Sequence, residues 1–320
     1  MRVAGIGGSG APGVGEAVDA GHDRAEQGGV TADDLARAFQ QERARLLRVA
    51  YATLGSVAEA EDCVQEAWLR LRMLEDPSGI RDLRGWLIRT VGRLALDALG
   101  SARARRERYV GTWLPEPLVA ETGADPAERV TLDESVSMAL LLVLESLSPA
   151  ERAAFLLHDV FSMTFEEVAE VVGRTPAAVR QLASRARRHV AAGRPRFPPT
   201  PQEQRALVEA FAAACQGGDL DALTRLLDPD VVCRGDGGGK VSAVPGEVLG
   251  ADQVARLLLS FTRGARLDVR VATVNGMPGL VLRAVDDVLS VASFTVDGGR
   301  ITSVDVIRNP DKLAYVSVPD

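Results

Sequence analysis

The stretch TFEEVAEVVGRTPAAVRQLASRARRHV, residues 164–190, decides how the rest of this chain is read. Thr164 and Glu167, three residues apart, form a capping box, and Phe165, Val168, Ala169 and Val172 keep the spacing of one helix face. Gly173 supplies a turn, Thr175 caps a second helix, and Pro176 stands at its first position, where the missing N–H costs nothing. In that second helix Val179, Leu182, Ala183, Ala186 and Val190 form an apolar stripe. Arg180, Gln181, Ser184, Arg185, Arg187 and Arg188 are left outside. The pattern is a helix-turn-helix whose outer face suits a DNA groove. An amphipathic hairpin with a solvated basic face shares the periodicity. Arginine in place of lysine, and the lack of any acidic residue between Val171 and Gln202, favour the first reading.

Outward from this motif, 320 residues are enough for two or three domains, each with its own core. The net charge of −7 averages unlike segments: residues 81–108 hold eight arginines against Asp82, Asp97 and Glu107, whereas residues 118–137 are acidic. Contact with DNA is therefore expected to be local. Cys63, Cys215 and Cys233 have neither metal nor redox spacing and read as ordinary thiols of a reducing compartment. No apolar run approaches membrane-spanning length, and residues 1–30, rich in Gly and Ala without helical periodicity, read as a disordered leader. A cytoplasmic protein with no membrane contact, no metal and no cofactor is expected.

From its cap at Thr31 the chain is helical for a long way. Phe39, Leu46, Leu47, Ala50, Tyr51 and Leu54 share a face, which Gly55-Ser56 ends. A second helix, 57–74, points Val64, Ala67, Trp68 and Leu71 inward and exposes Glu59, Asp62, Gln65 and Glu66, a face that serves either solvation or protein contact. A third begins at Leu83, buries Leu87, Val91, Leu94 and Ala98, and ends in Arg103, Arg105, Arg106 and Arg108. With Trp86 and Tyr109 nearby, it suits a nucleic-acid backbone and unstacked bases as well as a plain surface.

Residues 111–137 are a connector containing Trp113-Leu114-Pro115-Glu116-Pro117, whose prolines forbid regular pairing and whose Trp and Leu call for cover. Helices at 137–147 and from the capping box Ser148/Glu151 to about Asp159 lead into the helix-turn-helix. Residues 194–201 form a stiff proline-rich linker. Beyond it come helices at 203–216 and 220–227, a strand at 231–234, a helix at 251–261 and strands at 267–274, 280–285, 289–296 and 301–307. The last two strands are joined by the hairpin 297–300. The expectation is a multidomain chain: two all-α domains, 31–110 and 138–193, and a C-terminal α+β cone, 202–320.

The segment AEDCVQEAW (60–68), then LRGWL (83–87) with Asp97 downstream, then LSPAER (147–152) and the helix-turn-helix, resemble regions 2 and 4 of an extracytoplasmic-function (ECF) sigma factor. The resemblance implies that Asp62, Gln65 and Glu66 grip core RNA polymerase. It implies that Trp86, Arg89 and Arg93 meet the −10 element of promoter DNA, and that Arg180, Gln181, Ser184, Arg185 and Arg188 meet the −35 major groove. Where many members carry Asn seven residues after the Trp, this chain has Arg93, so no −10 base preference is carried over. Two such regions joined by a linker raise specificity through effective concentration.

The C-terminal part is similar to the SnoaL-like domain, a fold shared by polyketide cyclases, steroid isomerases and non-catalytic modules. His22, His158 and His189 all lie outside it, which removes the commonest general base; Asp236, Asp286 and Asp305 are its candidate carboxylates. Asp236-Gly237-Gly238-Gly239-Lys240 lacks the first glycine and the final Ser/Thr of a phosphate loop. Together with Trp113-Leu114-Pro115 and Asn309-Pro310-Asp311-Lys312-Leu313, it resembles the signature of the ECF subgroup with a fused SnoaL-like extension. That implies regulation in cis without a separate anti-sigma factor. A Trp113 that needs cover, and a tether that keeps local concentration high, lead to the expectation that the Asp236–Lys240 loop docks near the connector. A ligand-responsive regulator with a small molecule in the C-terminal pocket, and a DNA-tethered cyclase or isomerase, are the alternative readings.

Overall fold

The computed structural model describes residues 31–106, 109–120, 136–193, 195–262, 268–283 and 288–316. The leader, Arg108, most of the acidic connector, Asp286 and the last four residues lie outside them, as do the side chains of Arg103 and Arg105.

Helix α1 (Ala32–Leu54) starts at the Thr31/Asp34 capping box and stops at Gly55, whose φ of 68° is left-handed. Helix α2 (Val57–Arg72) is capped by Ser56, and α3 (Leu83–Arg106) crosses both. Leu46, Leu54, Leu71 and Leu87 are wholly buried between them, and each such side chain contributes roughly 1.5–3 kcal/mol. The basic continuation expected after residue 99 belongs to the same helix as the apolar part, an uninterrupted α3.

Helix α4 (Met138–Glu145) and helix α5 (Pro149–Phe155), with its Ser148/Glu151 capping box, support the motif. The helix expected to run to Asp159 leaves α geometry after Phe155 and widens into a π-helical turn, Leu156–Val160. That turn presents His158, whose Nδ1 lies 2.7 Å from the Met163 carbonyl and whose ring stacks on Phe165 at 3.8 Å. Helix α6 (Phe165–Val172) and helix α7 (Pro176–Gly193) form the helix-turn-helix, with Gly173 at φ 66° between them. Its Val179, Ala183, Ala186 and Val190 are buried as the stripe requires. Where α3 crosses this unit it does so at Gly92: a Cβ there would sit 3.3 Å from Leu157 and 3.4 Å from Val171.

The first helix after the proline-rich segment begins two residues before the expected 203, because Pro201 is the first helical residue behind a Thr200/Glu203 capping box. Helix α8 (Pro201–Gly217) and helix α9 (Leu220–Leu226) precede the sheet. The connector also supplies a strand, β1 (Val119–Ala120), to this sheet. The remaining elements are β2 (Leu227–Asp236), β3 (Glu247–Leu249), α10 (Ala251–Thr262), β4 (Asp268–Val274), β5 (Met277–Arg283), β6 (Leu289–Asp297) and β7 (Arg300–Ile307).

The strand order is β1-β4-β5-β6-β7-β2-β3, antiparallel except for β2 beside β7. The prolines of the connector do not prevent pairing just beyond them: Val119 lies opposite Val274, and Ala120 opposite Thr273. The sheet is buried on both faces. Leu280, Ala292, Phe294 and Val304 pack inward with the helices of the cone. Ala272, Val274, Val281, Val291 and Ile307 join the core of the two helical domains. The alternation of side chains along a strand thus serves two different cores.

Candidate functional sites

On α7, Arg180, Gln181, Ser184, Arg185 and Arg188 are all exposed and line one shallow surface groove. Two of these arginines lie near carboxylates on neighbouring helices. Arg180 is 3.4 Å from Glu166 and its guanidinium is 5.4 Å from the centre of the Phe165 ring. Arg185 Nε is 3.3 Å from Glu151. Arg187, beside this face, pairs with Asp159 at 2.7 Å.

Trp86, Arg89 and Arg93 share one face of α3, and that face turns toward α6. Arg89 lies 3.5 Å from Glu167 and 3.8 Å from Glu170, and Arg93 donates to the Glu170 carbonyl at 2.8 Å. Deeper in the same junction, Arg152 is 2% exposed. It donates to the Leu144 and Thr53 carbonyls at 2.9 and 2.8 Å and pairs with Glu145 at 2.7 Å. Arg106 reaches the same Glu145 and the Leu54 carbonyl. On α2, Asp62 and Gln65 are exposed, whereas Glu66 is half-buried and paired with Arg70 at 2.9 Å.

The three C-terminal and connector motifs converge on a single carboxylate, Asp236, at the end of β2 and 0% exposed. One of its oxygens accepts from the Tyr109 hydroxyl at 2.6 Å and from the Gly238 N–H at 3.1 Å. The other accepts from the Leu114 N–H at 2.9 Å and from Lys312 Nζ at 2.7 Å. Lys312 also donates to the Leu114 carbonyl, so both backbone polar groups of one connector residue are held from the C-terminal domain. Its ammonium stands 4.1 Å from the Trp113 ring centre, whose other cationic neighbour is Arg106 at 3.5 Å. Burial pulls the Lys312 pKa down, against the opposing pull of Asp236; burial and the Asp236 bond push Tyr109 up.

Asn309 donates to the Tyr109 hydroxyl at 2.7 Å, and Leu313 is buried in the helical core. At the rim Lys240 pairs with Asp311 at 2.6 Å, and Pro310 is exposed. Gly238, at φ 61°, has no room for a side chain, since a Cβ would fall 2.4 Å from Asn309. Gly237 and Gly239 complete the loop, and Pro115 packs on Gly55.

Several residues of this joint carry no sequence signal of their role. Glu116 is 9% exposed: its carboxylate accepts from the Ser56 hydroxyl at 2.8 Å and the Val57 N–H at 2.6 Å, capping α2 from outside. Its carbonyl accepts from Tyr51 at 2.6 Å. Asn275, at φ 48° in the β4–β5 turn, donates to Tyr51 at 2.8 Å and accepts from the Leu118 N–H at 3.0 Å. The Asn-Gly dipeptide announces a hairpin, but nothing local says that its amide ties the connector to α1.

Of the candidate carboxylates for catalysis, Asp236 is committed to this joint. Asp305 is 1% exposed and bound to Arg234 at 3.1 Å and Ser303 at 2.7 Å. Burial pushes the Asp305 pKa up, against Arg234 and Ser303. Neither lines the cavity of the cone.

Two all-α units, one a helix-turn-helix and the other an arginine-rich helix beside an acidic-polar one, define a sigma-70-type initiation factor. Residues 38–105 match the family profile of sigma-70 region 2, and residues 137–190 that of sigma-70 region 4. The chain is 43% identical over 292 residues to "ECF RNA polymerase sigma factor SigJ" of Mycobacterium tuberculosis, covering 86% of this chain and 92% of that protein. It is 37% identical over 285 residues to "Probable ECF RNA polymerase sigma factor SigI" of the same species, covering 88% and 95%. A solved structure of the Mycobacterium tuberculosis SigJ superposes with a TM-score of 0.71 at 38% identity, covering 87% of this chain and 98% of that one. The chain belongs to the ECF RNA polymerase sigma factors. Membership implies core RNA polymerase and promoter DNA as partners, and the relatives are sigma factors rather than enzymes. Among the described residues no helix is long and apolar enough to cross a membrane.

Proposed function

We propose that this sigma factor acts in the cytoplasm and is regulated in cis by a non-catalytic C-terminal domain, in place of a separate anti-sigma factor. Arg180, Gln181, Ser184, Arg185 and Arg188 read the −35 groove; Trp86, Arg89 and Arg93 engage the −10 element; Asp62, Gln65 and Glu66 contact core polymerase. The observation that carries the regulatory part is the enclosed Asp236–Lys312 pair closed around the Leu114 peptide. The connector between the two promoter-reading domains is thereby gripped by the third domain, which sets how far apart they can move.

A buried pair of this kind specifies geometry strongly, because removing one partner leaves the other charge uncompensated. Run-off transcription with core RNA polymerase tests the proposal on the full chain, Lys312→Met and Trp113→Ala. A promoter-specific transcript from the wild type, changed several-fold in both variants, is expected. Equal output from all three, with the fold retained, would remove the regulatory role.

A further inference from the structure

The cone encloses a cavity of about 360 Å³ whose wall is apolar, with Phe211, Leu280, Ala292 and Val304 among its lining, apart from one polar end formed by Ser290 and Arg308. Its volume falls in the range of small-molecule sites. Phe261, 43% exposed, also lines it. Cys215 lines it too, but burial pushes that thiol up to about 12, so it stays protonated and unreactive. No carboxylate or histidine is found among the described lining residues. Such a wall is suited to holding a molecule rather than to moving its protons.

We propose that this cavity binds a small amphiphilic carboxylic acid, its apolar body in the cone and its carboxylate at Arg308 and Ser290, and that occupancy acts on the Asp236 joint. The guanidinium offers five N–H groups in a planar fork that matches a carboxylate. It already takes part in a polar network, with Nε on Ser290 Oγ at 3.1 Å and a terminal nitrogen on the Ser242 carbonyl at 2.5 Å. An acyl chain of about eight to twelve carbons is of a size that such a cavity accepts.

The link to the joint is one peptide long. The backbone N–H of Arg308 donates to the Asp236 carbonyl at 2.7 Å, and that of Asn309 to the same oxygen at 2.9 Å. Gly235, which lines the cavity, immediately precedes Asp236. A Cβ on Gly235 would fall 2.6 Å from the Val244 nitrogen, so the backbones are already in close contact there. A shift of Arg308 toward a ligand is thus transmitted to the carboxylate that holds Tyr109, Leu114 and Lys312. The effect is reciprocal: whatever loosens the joint changes ligand affinity by the same factor.

This coupling rests on the joint proposed above, but binding itself does not, and the experiment separates them. Calorimetric titration of the full chain uses octanoate and octanol as probes. One octanoate per chain is expected, bound about tenfold tighter than octanol or more, as charge-assisted bonds warrant. Arg308→Gln should abolish that preference while keeping octanol binding, which serves as its own folding control. Ala292→Leu, which narrows the cavity, should weaken both probes. Saturating octanoate should change hydrogen exchange of the Leu114 amide several-fold, and Lys312→Ala should change octanoate affinity. No binding, equal affinity for the two probes, or unaltered affinity in Ala292→Leu overturns the site. Binding without any change at Leu114 overturns the coupling alone.

Discussion

The two arginine-bearing helices of the promoter-reading domains meet solvent differently. The outer face of α7 stands open, with all five candidate −35 residues exposed on one groove. The corresponding face of α3 is partly covered by α6: Trp86 and Arg89 are half-buried and Arg93 is exposed, Glu167 and Glu170 lie beside Arg89, and the α6 backbone accepts from Arg93. On the roles proposed above, the surface for duplex DNA stands open in the unbound protein, while the same domain partly covers the surface for opened strands. Both surfaces carry rehearsal partners, Glu166 and Glu151 on one, Glu167 and Glu170 on the other. Only on α3 do these partners belong to the other helical domain.

The comparison breaks most severely at Arg152. Replacing it by Met removes the pair with Glu145 inside the helix-turn-helix domain and the donor to the Thr53 carbonyl of α1, and should cost about 3–5 kcal/mol in that domain and its contact with α1 taken together. Binding of a single-stranded −10 oligonucleotide should rise while duplex −35 binding holds, as followed by fluorescence anisotropy. A rise in neither would mean that α6 does not mask α3. Next in size is Arg180→Ala or Arg185→Ala, where loss of a bidentate base contact is worth about 1–3 kcal/mol of discrimination. The readout is the ratio of affinities for promoter and scrambled duplex; an unchanged ratio would deny α7 a sequence-reading role.

A smaller effect is expected for Glu170→Ala. Its ion pair is half-exposed and contributes less than about 1 kcal/mol, so global stability should hardly change. Single-strand binding should nevertheless improve at low salt, and the gain should fade as ions screen the pair. The smallest effect is on acid stability. The Ser148 hydroxyl, and then its backbone, hold the Glu151 carboxyl below its ordinary 4.5, and the Arg185 charge acts in the same direction. A depressed carboxyl contributes stability that is complete above its unfolded value and is lost as pH falls through the folded one. Thermal unfolding followed below pH 4.5 should show the helix-turn-helix domain weakening, less so in Glu151→Gln.

The same contrast explains what the sequence made legible. The cap at Thr31, the capping boxes at Ser148 and Thr164, the proline at position 176 and the α7 stripe are local signals between residues three or four apart, and each appears in the structure. The cover over α3 was not legible, because the periodicity of α3 marks Arg89 and Arg93 as outward-facing whether water or α6 lies opposite. Nor was β1, two residues long and paired with a strand far along the chain. Motifs around Trp113, Asp236 and Lys312 stood out by resemblance, yet that one carboxylate gathers all three is a fact of tertiary geometry. Asn275 looked like a turn residue and is one; its second task, on Tyr51, needed the fold.

The pairing of Val119 with Val274 has a bearing on how pieces of this molecule would behave. A chain cut at Pro201 loses the surface that covers Leu114 and Tyr51, and the C-terminal piece alone exposes the bare backbone of β4. Unpaired edges of that kind recruit other chains. Stickiness, rather than release from control, is then the first property either fragment would display, and a truncated protein that appears inactive has first to be shown to be monomeric.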